Sequence, residues 1–462
     1  MAISPAGLIR FTLLAMLIWL PFFLPTRFLI GDPTGFPVLH NLLIIALFMA
    51  VALPLFRHGL VTRLDKLVAL YFIYYNCIFF VSVVNIGVID SLVQYRVFVL
   101  NILIYFIIRA FYYRPGFSQS IGIAFVVSAT LVAAYQVIEF INVNLYRHEP
   151  ISLLWFQHII EGDTSRARFF EFYSDIDAAS IPGVFAYTHP TGFFIGAAGI
   201  FMFSLLLGKT WKPMVIPIAL LMLVGLFLSS TRLAIVVAIA LAAATFYVLL
   251  SRRRATSKPR AFIVVPLAAI AVLTVYVVSR LFPIYYQSRF VAYYKPSQWA
   301  DVFSQVFTRD FGLYQEFLSA IPIAIFTGTG FPAKEFVTGG LTIASNDLYF
   351  LAFLSQVGLI GGGLLLLINI TAFQYARRLV KSGAADGALA WGAFVAFAML
   401  TLSMAHSQVV IFTGINQWYY ALLAILGTCY ENNRRTALRV VPEREDNGPQ
   451  GSLGSHLGLV SP

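Results

Sequence analysis

The side chains best suited to chemistry in this sequence are arginines set in apolar surroundings. Arg232 falls in Ser229-Ser230-Thr231-Arg232-Leu233-Ala234, with no charge from 213 to 231 or from 233 to 251. A charge at the centre of an apolar helix costs about 2.5 to 3.5 kcal/mol. The cost is smaller at a helix end, yet nothing nearby in the sequence offers Arg232 a partner, and that isolation points to function. Arg96, with Gln94 and Asn101 close by, lies in another apolar stretch; it either snorkels to the surface or lines a cavity. Arg166, Arg168, Arg289 and Arg309 fall in two long connections between apolar runs. A guanidinium is a planar fork of donors that stays charged and matches phosphate oxygens two at a time. Arginines gathered beside a bilayer therefore suit a lipid-linked phosphate or pyrophosphate. The same connections hold Glu161, Asp163, Glu171, Asp301 and Asp310, so ion pairing is the plainer role for any one loop arginine.

The elements that must hold these arginines follow from composition. Of 462 residues, 60% are apolar and only 11% charged, whereas a soluble domain carries about 25% charged residues. That excludes a soluble protein. Stretches free of charge run from 33 to 56, 67 to 89, 115 to 138, 213 to 231, 233 to 251, 261 to 279, 348 to 376 and 387 to 430, and one helical crossing needs roughly 20 apolar residues. The runs do not alternate in polarity as the strands of a membrane barrel do. The sequence predicts an all-α, polytopic integral membrane protein with about twelve transmembrane helices, near 8–26, 38–56, 67–87, 91–109, 119–140, 188–207, 213–230, 232–250, 261–279, 346–370, 389–409 and 413–430. The first run, with Pro21 and Pro25, reads as a retained helix, not a cleaved leader. Residues 1–430 form one membrane domain, and the polar tail 431–462 reads as disordered.

Lysine and arginine orient the chain. With the N-terminus in the cytoplasm, 20 of the 31 basic residues fall on cytoplasmic turns or termini, among them Arg252, Arg253, Arg254, Lys258 and Arg260; the opposite choice breaks the positive-inside rule. Both termini are then cytoplasmic, and the net charge of +11 is mainly topological, with no implication of nucleic acid. The long connections, about 142–187 and 280–345, fall on the outer side. The second contains Phe303, Val306, Phe307, Phe311, Tyr314, Phe317 and Leu318 at helical spacing, which predicts an amphipathic helix along the bilayer surface. Cys77 and Cys429 lie in separate apolar runs, and the seven histidines lack ligand spacing, so neither a metal nor another cofactor is expected.

Several segments, in order, resemble the O-antigen polymerase and ligase superfamily. Arg166 to Gly192, with Arg168, Pro182-Gly183-Val184-Phe185 and His189-Pro190-Thr191-Gly192, is similar to the pattern ahead of a central span in that family. The Ser-x-x-Arg-x-Ala pattern ending at Ala234 resembles the start of the family's later span, slightly shifted. Arg309, the amphipathic helix and Thr327-Gly328-Thr329-Gly330-Phe331 resemble its second loop. Asn346-Asp347-Leu348-Tyr349 and Gly358-Leu359-Ile360-Gly361 resemble the start and middle of the span after it. The resemblance covers residues 160 to 365. Ligases of the family place a His-Asn pair at the start of that late span, and here Ser345-Asn346-Asp347 has no histidine, which is closer to the polymerases.

The resemblance implies a GT-C-like fold and an inverting, metal-independent glycosyl transfer at the periplasmic face of the bacterial inner membrane, joining repeat units carried on undecaprenyl pyrophosphate. It implies catalytic roles for Arg232 and Arg309 toward the pyrophosphate and for Asp347 toward the acceptor hydroxyl, although Asp347 with Asn346 also suits a helix N-cap. Arg166, Arg168, Arg289, Arg96, His189 and Asn346 are candidate substrate contacts. Gly328 and Gly330 either let backbone approach a ligand or form a plain turn. A chain-length regulator and other export proteins are the implied partners. A ligase acting on lipid A core and a polysaccharide or lipid transporter are the alternatives.

Overall fold

The computed structural model describes residues 4–31, 35–58, 62–112, 114, 116–146, 148–154, 183–185, 188–208, 215–250, 324–330, 349–404 and 414–440, with isolated positions at 276, 279, 280, 304, 308 and 312. Among the described residues there is no strand. The helices of the described residues are, in chain order, α1 (Pro5–Trp19), α2 (Phe23–Ile30), α3 (Gly35–His58), α4 (Arg63–Ile86), α5 (Val88–Phe98), α6 (Leu103–Arg109), α7 (Phe117–Asn144), α8 (Thr188–Leu207), α9 (Ile216–Leu228), α10 (Arg232–Leu250), α11 (Ala324–Thr327), α12 (Tyr349–Lys381), α13 (Gly387–Ser403) and α14 (Ile415–Val440). Eight stretches of described helix are long and apolar enough to cross a membrane, and α9 and α13 are shorter apolar helices. This is the build of an all-α membrane protein. Helix is the form expected, because hydrocarbon offers no partner for an unpaired amide or carbonyl.

Local signals set the ends. Ser4 caps α1 ahead of Pro5, and Thr62 with Asp65 forms a reciprocal capping box at the start of α4. Pro21 opens a 3₁₀ turn, Leu20–Phe22, between α1 and α2. The stretch 91–109, expected as one helix, is instead α5 and α6 joined through a 3₁₀ turn at Leu100–Ile102.

Helix α8 is the hub. It packs against α7, α9, α10 and α13 and is buried along nearly its whole length. Small residues allow this. A Cβ on Gly196 would collide with Met399 of α13, and one on Gly225 of α9 would come to 2.9 Å from the Ala133 Cβ of α7. Polar ties join these helices: Ser204 Oγ of α8 donates to Ala388 O of α13 at 2.8 Å, and Trp391 Nε1 of α13 donates to Thr245 Oγ1 of α10 at 3.2 Å. Exposed apolar side chains cover the outward faces, including Met49, Ile73, Phe80, Ile239 and Leu366, as expected of a surface that meets acyl chains.

The bundle has two polar ends. At one, Arg109 grips Asp65 through Nε at 2.7 Å and Nη2 at 2.8 Å, with Tyr105 OH at 2.6 Å from Asp65 Oδ1 and Arg109 Nη1 donating to Thr428 Oγ1 at 3.2 Å. Close by, Tyr375 and Tyr430 stack at 3.7 Å. Helix α14 runs on to Val440, ten residues into the stretch expected as a disordered tail. Arg435 explains part of this, donating to Glu431 Oε1 at 2.9 Å and to Tyr112 OH at 2.5 Å while its guanidinium covers the Tyr112 ring. The opposite end carries the turns at Gly87, Gly183, Ser230 and Gly414. Nearly all of the expected span 261–279 and of the expected amphipathic helix, and the tail beyond 440, lie outside the described residues.

Candidate functional site

Arg232 is placed by a tight turn. Ser230, between α9 and α10, has φ 58°, an uncommon conformation for a residue with a side chain. Hydrogen bonds hold it there. Ser229 Oγ donates to Leu226 O at 2.7 Å, the Ser230 amide donates to Phe227 O at 3.2 Å, and Thr231 Oγ1 donates to Thr188 O at 2.8 Å across to α8. The turn presses onto Gly192, where a Cβ would come to 2.7 Å from Ser229 Oγ and Thr231 Oγ1. Only glycine permits that approach. The sequence motifs His189-Pro190-Thr191-Gly192 and Ser229-Ser230-Thr231-Arg232 are therefore one structural unit, with His189 on the first turn of α8 and Arg232 at the first position of α10. Both side chains are partly exposed, while Thr188, Thr191, Ser229 and Thr231 are buried around them. No acid stands in the first turn of α10. A cation at a helix N-terminus sits at the positive end of the helix dipole, so Arg232 and the first amides of α10 present charge of one sign.

Beneath this unit is a buried polar floor. Glu139 of α7 is fully buried. Its Oε1 accepts from the Ser152 amide at 2.6 Å and from Tyr135 OH at 3.2 Å, and the Gly183 amide also faces the carboxylate. Ser152 follows α7 and Gly183 precedes α8, so one carboxylate ties both ends of the long connection that carries Arg166 and Arg168. Gly183 in turn lies over Gln136 Oε1 and Thr191 Oγ1. A buried carboxylate is costly unless hydrogen-bonded; these donors offset part of that cost, and Glu139 Oε2 is buried without a hydrogen-bond partner among the described residues.

A second feature stands at the same end. Helix α12 breaks at Gly358, with φ 62° and ψ −175°, which strips Ser355, Gln356 and Val357 of the amides that would follow them in a continuous helix. The segment after α11 replaces those amides. Thr329 N donates to Ser355 O at 2.9 Å, Gly330 N to Gln356 O at 3.1 Å, and Tyr74 OH of α4 to Val357 O at 2.6 Å and Thr327 O at 3.0 Å. Asn85 Nδ2 donates to Thr329 O at 2.6 Å. Gly328 thus sits against the Gln356 carbonyl and Gly330 against Ser82. The close approach that these glycines make is to the protein's own α12 and α4.

Of the predicted site residues, Arg232 and His189 are brought together, and Gly328 and Gly330 lie at the same end of the bundle. Arg96 is partly buried on α5, within the electrostatic reach of Arg27 and His40. Arg166, Arg168, Arg289, Arg309, Asn346 and Asp347 lie outside the described residues. Among the described residues no three His, Cys, Asp or Glu side chains gather as metal ligands would. Glu139 was missed in the sequence because an acid near the end of an apolar run reads as a boundary; its spacing from Tyr135 and Gln136, which puts all three on one helix face, was the available signal. No family model matches the chain, and no curated protein does.

Proposed function

We propose that this protein polymerises oligosaccharide repeat units carried on undecaprenyl pyrophosphate at the periplasmic face of a bacterial inner membrane. The observation that carries the reading is the unit formed by His189-Pro190-Thr191-Gly192 and Ser229-Ser230-Thr231-Arg232, which gathers two distant segments of the resemblance around a cation at a helix start. The positive-inside rule puts this end outside, with both termini in the cytoplasm. The reading includes a GT-C-like arrangement of about twelve crossings.

In the proposed reaction an acceptor hydroxyl attacks the anomeric carbon of the lipid-linked chain from the face opposite the pyrophosphate. The new carbon–oxygen bond forms as the bond to pyrophosphate breaks, the configuration inverts, and the hydroxyl proton passes to a base. The leaving pyrophosphate gains negative charge. Arg232, with Arg309 as its expected partner, stabilises that charge with donors fixed in advance. Asp347 is the expected group to orient the hydroxyl and take its proton, and Arg166 and Arg168 are the expected contacts for the second chain. Glu139, buried beneath the unit, positions the connection that carries these two and does not touch substrate.

Incubating purified protein with lipid-linked repeat units tests the proposal. A ladder of products supports it, and transfer only to a lipid A core acceptor would replace it with a ligase. One observation favours a transporter instead: α12 is interrupted within its apolar stretch, and broken helices mark transport sites. The interrupted carbonyls are already taken by Thr329, Gly330 and Tyr74, which supports a structural use of the break.

A further inference from the structure

The buried floor beneath the Arg232 unit gathers side-chain oxygens from three segments of the chain. Glu139 Oε1 of α7 is supplied with donors, the Ser152 amide at 2.6 Å and Tyr135 OH at 3.2 Å. Glu139 Oε2 and Ser152 Oγ, by contrast, are buried without a hydrogen-bond partner among the described residues. These two oxygens share one neighbourhood, because the amide bonded to the carboxylate and the hydroxyl belong to the same serine. Gln136 stands one turn before Glu139 on the same face of α7. A Cβ on Gly183 would lie 2.5 Å from Gln136 Oε1 and 3.0 Å from Thr191 Oγ1 of α8, so these two oxygens also converge on one point. Gln136, Glu139, Ser152 and Thr191 are each 0% exposed.

The charge is the larger cost here. An ionised carboxylate taken out of water has to be paired or to bind a cation. Among the described residues the ion pairs are Arg109–Asp65 and Arg435–Glu431, and Glu139 belongs to neither. Its donors are neutral, and a water on Oε2 would add one more hydrogen bond while leaving the charge as it is. A cation meets both needs at once: it engages Oε2 and Ser152 Oγ, and it cancels the charge. Carboxylate, amide and hydroxyl oxygens are the ligands that a hard cation takes. One carboxylate among neutral oxygens balances a single positive charge, and packing so close that no Cβ fits at Gly183 suits a small ion.

We propose that Glu139, Ser152, Gln136 and Thr191 form a sodium site. The ion joins Ser152, just after α7, to the start of α8, at the two ends of the long connection. It takes no part in glycosyl transfer, and the site stands or falls independently of the polymerase reading. The test is retention of radioactive sodium by the purified full-length protein in detergent and choline chloride, with thermal unfolding followed as sodium or potassium replaces choline at constant ionic strength.

Saturable retention is expected, displaced by unlabelled sodium well before potassium, together with a rise in melting temperature of about 2 °C or more at saturation. Glu139→Gln keeps the shape and removes the charge, and is expected to lose both the retention and the rise. Ser152→Ala leaves the amide bond to Glu139 Oε1 in place and removes one ligand; its affinity for sodium is expected to fall at least about tenfold. No retention by folded wild-type protein overturns the site, and so does undiminished affinity in folded Ser152→Ala, which decides alone should Glu139→Gln not fold. Equal displacement by potassium overturns the sodium assignment in favour of a general alkali-cation site. Stabilisation by acid in place of sodium, absent from Glu139→Gln, overturns the cation in favour of a protonated carboxyl group.

Discussion

At the scale of single residues, two arginines stand in opposite environments. Arg109 is locked between Asp65 and Thr428 and is almost wholly buried. Replacing either Asp65 or Arg109 by alanine leaves a buried charge unpaired, an expected loss of about 3 to 5 kcal/mol, read as a large drop in folded yield and in melting temperature in detergent. Arg232 is instead partly exposed, at the start of a helix. Arg232→Ala is therefore expected to abolish long-chain product in cells while leaving expression and melting temperature near wild type; full-length polymer from this variant would remove Arg232 from the mechanism. The sequence made Arg232 legible because a charge in an apolar run has few explanations. It could not separate Arg109 from the charges of the cytoplasmic turns, since Asp65 lies 44 positions away, and it passed over Glu139, whose partners Ser152 and Gly183 are visible only once the chain is folded.

At the scale of elements, α12 is the segment whose sequence and structure differ most. Its residues carry a helical pattern through Gly358-Leu359-Ile360-Gly361, so a continuous helix was the natural reading. The break exists because the Thr329 and Gly330 amides come from elsewhere to take the freed carbonyls. Tyr74→Phe removes the donor shared by Val357 O and Thr327 O, and because these bonds are only partly buried the expected loss is about 0.5 to 1.5 kcal/mol. Gly328→Ala should be worse. Its φ of 73° disfavours a side chain, and the new Cβ would strike the Gln356 carbonyl, which is backbone and cannot swing aside. Thermal unfolding of both variants checks the order; a Gly328→Ala protein as stable as wild type would contradict the docked loop. The central helix shows the opposite case. α8 spans Thr188–Leu207, the stretch expected from hydropathy alone, because an apolar run between polar connections admits little else. Its position at the hub was not legible, since that depends on which small residues face which neighbours.

At the scale of the whole molecule, the described helices sort their basic residues by end. Arg63, Lys66, Arg109, Arg378, Lys381 and Arg435 collect at the Asp65 end, whereas Arg27, Arg96 and Arg232 lie toward the other. In a background with Cys77 and Cys429 replaced by alanine, a cysteine at Tyr146 should react with a membrane-impermeant maleimide in intact cells, and one at Thr436 only after permeabilisation; the reverse pattern would invert the proposed topology. The central claim is chemical, and the most direct measurement is incubation of the purified protein with lipid-linked repeat units followed by separation of products by size. A ladder is expected from wild-type protein, formed without added metal, and none from Arg232→Ala. Unchanged repeat units with folded wild-type protein would contradict it.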